Sequence, residues 1–452
     1  MGLQVNAFWF INFLNFYSTR QTHCRIKRIM NPNQFQTPAI FSELYGNDPD
    51  ILARQTARYK RLIETHIALF GKTDPELFSA PGRVEIGGNH TDHNHGRVLA
   101  AAIHLDSIAA VSKNNSDQLI VHSEGYEKPF IVSTTDLGIK QNEFHTSSAL
   151  IRGILYRFRE AGHALYGLNI NISSDVLAGS GLSSSASFEV LLGTIFNVCF
   201  ADNRWTPQEI AGTGQFAENV YYGKPCGLMD QMTSACGGIV EIDFKDPAAP
   251  LVNKLDFNFD TTSYKVLVIN TGDDHEDLTD DYAAISREMI AVANALGQPF
   301  CRGIREDELI GNLTRLRGKA GDRAILRAFH FLEENNRVLK QVESLTNRRF
   351  TDFLMYVNAS GNSSAKWLQN MFTVKQVENQ GMSLALALTE KYIRDSKVPG
   401  ACRLHGGGFA GTILAFLHED LVETYIQNMI PIFGKENIIT LKVRSQGSIK
   451  IP

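Results

Sequence analysis

The chain has 452 residues, 43% of them hydrophobic and 20% charged, with a formal net charge of −4. Such a length suits two domains rather than one core, and such a balance excludes the basic footprint of a nucleic-acid or acidic-membrane binder. The six cysteines (Cys24, Cys199, Cys226, Cys236, Cys301 and Cys402) contain no C-x-x-C pair, and a reducing, cytoplasmic setting fits them best.

Residues 5–17 are apolar and aromatic, but Asn6, Asn12 and Asn15 interrupt them and the run is too short to cross a bilayer. The basic residues Arg25, Lys27 and Arg28 follow the apolar run, the reverse of a secretory signal. Met30 then opens a polar stretch like an ordinary start, so residues 1–29 are expected to be a dispensable leader or an over-extended start, and 1–35 an extension outside the fold. Alternation and turn residues predict strands over 77–86, 107–112, 118–122, 168–173, 238–244 and 264–270. A helix opens at Thr206-Pro207-Gln208-Glu209, a capping box with proline in the first helical position. Beyond residue 264 the sequence turns helical over 281–296, 324–343 and 382–394, then strand-like over 412–416 and 438–443. The expected class is mixed α/β with a boundary near residue 260.

Four segments concentrate chemistry-bearing residues. Residues 80–96 run Ala80-Pro81-Gly82-Arg83-Val84-Glu85-Ile86-Gly87-Gly88-Asn89-His90-Thr91-Asp92-His93-Asn94-His95-Gly96, a polar loop between apolar runs. Its histidines and Asp92 could be metal ligands, but the helical H-x-x-x-H spacing is absent; a hydrogen-bonding sugar or nucleotide loop accounts equally for Asn, Thr and Asp. Residues 177–186 run Leu177-Ala178-Gly179-Ser180-Gly181-Leu182-Ser183-Ser184-Ser185-Ala186, after a strand and before a helix-compatible stretch. Glycines there let backbone N–H groups crowd an anion, and a helix N-terminus adds positive charge; a simple capping turn has the same composition. No lysine follows the glycines, so this is not a Walker loop. Residues 218–231 carry Glu218 at the end of the capped helix and Asp230-Gln231 after the Gly223-Lys224-Pro225 break, where an Asp beside Gln is ordinarily a cap or turn residue. Residues 403–411 hold four glycines in six positions, which permits either close approach to a ligand or a tight inter-domain turn.

Together these segments resemble the GHMP small-molecule kinases, and galactokinases within them. Gly82-Arg83-Val84 with His90-Thr91-Asp92 is similar to the galactokinase signature Gly-Arg-Val-Asn-Leu-Ile-Gly-Glu-His-Thr-Asp. Gly181-Leu182-Ser183-Ser184-Ser185-Ala186 matches the superfamily phosphate loop. Pro225-Cys226-Gly227-Leu228-Met229-Asp230-Gln231 matches Pro-Cys-Gly-Ile-Met-Asp-Gln, and residues 403–411 resemble the third, glycine-rich motif.

The resemblance implies a two-domain GHMP kinase fold: a ribosomal-S5-domain-2-like α/β domain over 36–262 and a ferredoxin-like domain over 263–452, with the active site between them. It implies an ATP- and Mg2+-dependent sugar-1-kinase with galactose as the best single substrate, acting on a small sugar and ATP and needing no evident protein partner. Gly179, Ser180, Gly181, Leu182, Ser183, Ser184 and Ser185 would wrap the ATP phosphates, with Ser185 and Glu218 holding magnesium. Asp230 would be the base for the anomeric hydroxyl and Arg83 its cation. Asn89, His90, Thr91 and Asp92 would bind the sugar, joined by Tyr282, seven residues after His275.

Departures bear on the substrate. Asn89 stands where galactokinases carry the Glu expected to meet the sugar 6-hydroxyl, which makes galacturonate a credible alternative. Glu85 replaces the family's Asn, and Leu177, Ser180 and His405 replace Pro, Gly and Thr. A silent galactose sensor and a kinase for another alcohol, such as mevalonate or homoserine, are the further readings. The complete set Arg83, Ser183–Ala186, Glu218 and Asp230 favours catalysis, and His90-Thr91-Asp92 favours galactokinase-type chemistry.

Overall fold

The computed structural model describes residue 32 and residues 35–452, apart from 72, 178–180, 225 and 273–277. The expected leader, 1–29, lies outside the described residues.

Twelve strands form two sheets among the described residues. They are β1 (Glu76–Gly87), β2 (Arg97–Lys113), β3 (Gln118–Ser123), β4 (Phe130–Ser133), β5 (Leu168–Ser174), β6 (Ile239–Asp243), β7 (Leu251–Leu255), β8 (Tyr264–Asn270), β9 (Ala401–His405), β10 (Thr412–His418), β11 (Ile438–Leu441) and β12 (Ile449–Lys450). The larger sheet runs β12-β1-β2-β5-β3-β4, with β6 on the far half of β2 and β7 beside it; β3 and β5 pair parallel and its other pairs are antiparallel. The smaller sheet runs β11-β8-β10-β9, and its chain order of strand, helices, two strands, helix, strand is that of a ferredoxin-like split βαβ.

Long β2 serves as the spine, and its first half was not expected as strand. Val98 to Ile103 is a run of alanines and aliphatics buried on both faces, so no alternation marks it. β9 escaped notice because a glycine run follows it at once. The helix Pro207–Phe216 carries the expected capping box, Thr206 with Glu209.

Two layers of core position the site. On one face of the larger sheet pack the helices Ser147–Glu160, Ser184–Phe200, Pro207–Phe216 and Met229–Cys236. Ser184–Phe200 is buried nearly all round, as a central helix with no polar stripe must be. Between the two sheets, Val84, Ile86, Leu99 and Ala101 meet Val266, Val268, Leu414 and Phe416 in one apolar cluster. Loops from both halves therefore converge over β1.

The chain end returns to the larger sheet. β12 pairs with β1, and Asp106 anchors the tail from the core: it accepts Arg58 Nη1 at 2.6 Å, Tyr45 Oη at 2.6 Å and Arg444 Nη1 at 3.1 Å. All four side chains are buried. A buried carboxylate lacking those donors would cost several kcal/mol, on the order of 3–5.

Candidate active site

Side chains alternate along a strand, so Arg83 and Glu85 leave β1 on the face opposite Val84 and Ile86. The register is unshifted from Arg83↔Ala102 to Glu85↔Ala100. Arg83 Nε donates to Asp230 Oδ1 at 2.7 Å and Nη2 to Oδ2 at 2.6 Å, a two-pronged pair. Its Nη1 donates to the carbonyl of Gly181. Asp230 sits in the first turn of the helix Met229–Cys236, where the helix dipole favours a carboxylate. Ser183 Oγ donates to the same Asp230 Oδ2. Burial works against ionising Asp230, but the Arg83 charge and the bonds from Arg83 and Ser183 outweigh it, and the carboxyl is held below its usual range.

The serine-rich turn is pinned to β1, since Leu182 is buried and its carbonyl accepts the Arg83 N–H at 3.1 Å. Gly181 has φ +70, and a Cβ there would stand 2.8 Å from Thr412 Oγ1 on β10. Ser183 is left-handed (φ 64), which turns the chain into the helix Ser184–Phe200. The first N–H groups of that helix have no intrahelical acceptor and can serve an anion. Ser185 is exposed there. Gly179, Ser180, Pro225 and His275 lie outside the described residues.

Glu218 stands in a π-helical turn, Ala217–Tyr222, that prolongs the capped helix, a wider winding that recurs at functional sites. Its Oε2 accepts Gln231 Nε2 at 3.1 Å, and Lys224 Nζ lies 3.6 Å from Oε1. Gln231 Nε2 also donates to Glu189 Oε2 at 2.9 Å. Burial first, then the Glu218 charge, push the Glu189 carboxyl well above its ordinary range. Glu189 lies four residues after Ser185, on the same helix face. Gln231 thus joins Glu218 to Glu189, one helical turn on from Ser185.

In the polar loop, His90 Nε2 bonds the Gly407 carbonyl at 2.8 Å and its ring stands near His93 and Tyr282. Burial, then His93, keep His90 neutral, so the nitrogen donates. Tyr282 Oη donates to the Gly408 carbonyl at 3.0 Å, and its ring covers Gly407, where no Cβ would fit. Asp92 lies against Gly227, and a Cβ on that glycine would overlap its carboxylate. The remaining two residues turn inward. Thr91 is fully buried, its Oγ bonded to the carbonyls of Gly88 and Arg97. Asn89 is fully buried too: Nδ2 donates to Glu85 Oε1 at 3.0 Å and to the Gly406 carbonyl at 2.8 Å, while Oδ1 accepts Asn370 Nδ2 at 2.9 Å and Ser364 Oγ at 3.2 Å. An amide offers two donors and two lone pairs, so no valence is left for a sugar. His95 stacks on Phe300 at 3.8 Å, and no group of three or more metal-binding side chains occurs among the described residues.

Sequence reading had not singled out Glu189 or the contact between Gly227 and Asp92, although Gly227 and Gln231 stand in the matched motif around Asp230. For Glu189 the one signal was the four-residue step from Ser185. His405, noted as a departure, accepts the Glu85 N–H through Nδ1 at 3.3 Å, and its ring lies beside Gly181.

The chain is similar to known proteins in both sequence and fold. Residues 64–113 match the family model of the galactokinase galactose-binding signature, and residues 149–238 that of the GHMP kinase N-terminal domain. The chain is 31% identical over 352 residues to a galactokinase of Streptomyces coelicolor, covering 77% of this chain and 86% of that one. It is 28% identical over 395 residues to a galactokinase of Clostridium acetobutylicum, covering 84% and 93%. In fold, it superposes on the Lactococcus lactis galactokinase complexed with galactose with a TM-score of 0.74 at 22% identity, over 87% of this chain and all of the other. A mevalonate kinase superposes with a TM-score of 0.57 at 18% identity, over 82% of this chain and 99% of the other.

Proposed function

Because the chain belongs to the galactokinase family of ATP-dependent GHMP sugar kinases, we propose that it phosphorylates the anomeric hydroxyl of galactose. One observation carries the reading: a single guanidinium, Arg83, bonds both the carboxylate of Asp230 and the backbone of the phosphate-loop candidate at Gly181.

In this reading residues 179–185 hold the ATP phosphates, with the free N–H groups at the start of the helix Ser184–Phe200 facing them. Asp230 orients the anomeric hydroxyl. A carboxylate held below its usual range is a weak base, so it takes the proton late, once the sugar oxygen has begun to bond the γ-phosphorus. The new O–P bond forms, the bond to the β-phosphate oxygen breaks, and ADP leaves. Arg83 keeps Asp230 ionised and offsets charge on the phosphoryl group. His90, Asp92 and Tyr282 line the sugar loop, while Asn89 and Thr91 shape it from behind.

A hard divalent cation wants oxygen ligands, and the Ser185 hydroxyl and Glu218 carboxylate are such a pair. Magnesium held there would neutralise phosphate charge. The two halves of the active site would come from units 36–262 and 263–452, with the tail contributing β12 to the first.

Galactose is favoured over galacturonate because Asn89 has no free valence to receive a 6-carboxylate and the group beside it, Glu85, is itself an acid. An ATP-consumption screen over galactose, galacturonate, N-acetylgalactosamine, glucose and arabinose tests this, with a sugar-1-phosphate expected from galactose. Turnover with galacturonate alone would transfer the reading to the acid sugar, and turnover with none would return it to a sensor.

A further inference from the structure

The Glu85–Asn89 arrangement departs from the family pattern in both positions at once. The signature has Asn then Glu four residues apart, and this chain has Glu then Asn. Asn89 points into the protein, saturated by Glu85, Gly406, Asn370 and Ser364. It therefore cannot do the work of the missing carboxylate.

Glu85 is differently placed. It leaves β1 on the same face as Arg83 and two residues on, a step of about 7 Å along the strand. It also feels the charges of both Arg83 and Asp92, so it stands in the field of the same site. Its Oε1 is fixed by Asn89 Nδ2 at 3.0 Å and by Arg403 Nη2 at 2.7 Å. Its Oε2 accepts no hydrogen bond from the described residues. Arg403 is fully buried, and its Nε and Nη1 find no partner, so the Glu85 bond is the one that its guanidinium makes among them. Burial pushes the Glu85 carboxyl up to about 7 against the pull of Arg403. A buried cation with one bond, to one oxygen of that group, aims it while leaving its second oxygen to accept.

We propose that Glu85 is the specificity-determining carboxylate of this kinase, its free oxygen accepting a hydroxyl at the end of the sugar remote from the anomeric carbon. The inference rests on the galactose reading above. It assigns Asn89 and Arg403 as positioning residues: they fix where that oxygen points.

The test is the ratio of kcat/KM for galactose to that for 6-deoxygalactose, with the KM for ATP and the melting temperature followed alongside. Wild-type protein should prefer galactose at least about tenfold, since a site built for a hydroxyl penalises its loss. Glu85→Gln should lower that preference by about tenfold or more while the KM for ATP stays within about twofold. The exchange E85N/N89E, which returns the carboxylate to the family position, should restore it. A merely structural Glu85 would lower stability in Glu85→Gln and leave the ratio intact, which overturns the proposal. Equal use of both sugars by wild-type protein overturns it as well, without touching the kinase assignment and with no need for a folded variant. Absence of any galactose-dependent turnover would remove the galactose reading and this inference together.

Discussion

Arg83 grips both oxygens of Asp230, Nε to Oδ1 at 2.7 Å and Nη2 to Oδ2 at 2.6 Å, and spends its third nitrogen on the Gly181 carbonyl. The group that lowers the Asp230 carboxyl is therefore the group that ties it to the serine-rich turn at Gly181. Chemistry and geometry at this site share one side chain.

A pH dependence follows. Burial alone would raise the Asp230 carboxyl, and Arg83 with Ser183 brings it below the ordinary range. Wild-type kcat/KM should thus hold up below the pH at which an ordinary aspartate protonates. Arg83→Leu removes the opposing charge, so the carboxyl rises and the acid limb should move to higher pH, beneath a loss of about a hundredfold or more in kcat. An acid limb at the same pH in both proteins would mean that Arg83 does not set the ionisation of Asp230.

The carboxylates around Gln231 should respond unequally. Burial favours the uncharged form of Glu189, so Glu189→Gln, a neutral near-isostere, should change stability by about 1 kcal/mol or less. Glu218→Gln removes a proposed metal ligand and should raise the magnesium needed for half-maximal rate by about tenfold or more. Titrating magnesium against initial rate in both variants separates them. Equal effects would assign Glu218 no special part.

Gly227 has no room for a side chain. Gly227→Ala would drive a methyl group into the Asp92 carboxylate, so the loop must shift on the sugar side of Asp230. The KM for galactose should rise by about tenfold or more while the KM for ATP changes little. Steady-state kinetics with each substrate varied in turn checks this, and a matched rise in both KM values would place the disturbance elsewhere.

Glu334 ties the polar loop to the second half of the chain. Its Oε1 accepts the Gly88 N–H at 2.9 Å, and its Oε2 pairs with Arg337. Burial opposes its ionisation, but Arg337, His330 and Arg403 prevail and hold it near 2, below the ordinary 4.5. Its ionised form stabilises the fold above the ordinary value, by on the order of 3 kcal/mol, and that contribution is lost as pH falls from about 4.5 towards 2. Glu334→Gln should lose on the order of 3–5 kcal/mol at pH 7 in denaturant melts, and less of its stability should then depend on acid. A variant as stable as wild type at pH 7 would contradict this.

Local signals carried the capped helix, because Thr206 and Glu209 lie three positions apart, while the serine-rich turn and Asp230 were given their proposed roles by the family resemblance. The inward turn of Asn89 was not legible. Its partners Asn370 and Gly406 lie 281 and 317 residues away, and a polar loop residue looks the same whether it faces a ligand or the core. The Glu85–Arg403 pair spans 318 residues and was hidden likewise. The first half of β2 failed for a different reason: a strand buried on both faces has no period to detect. Glu189 was invisible because a buried acid within an apolar helix reads as an ordinary interruption.

The central claim is best tested by following the phosphorus itself. Wild-type protein with ATP, magnesium and galactose, watched by 31P NMR, should build a sugar-1-phosphate signal in step with ADP. Asp230→Asn, still folded and still binding ATP, should slow that signal by about a thousandfold or more. Near-normal phosphate transfer in the Asp230→Asn protein would contradict the account.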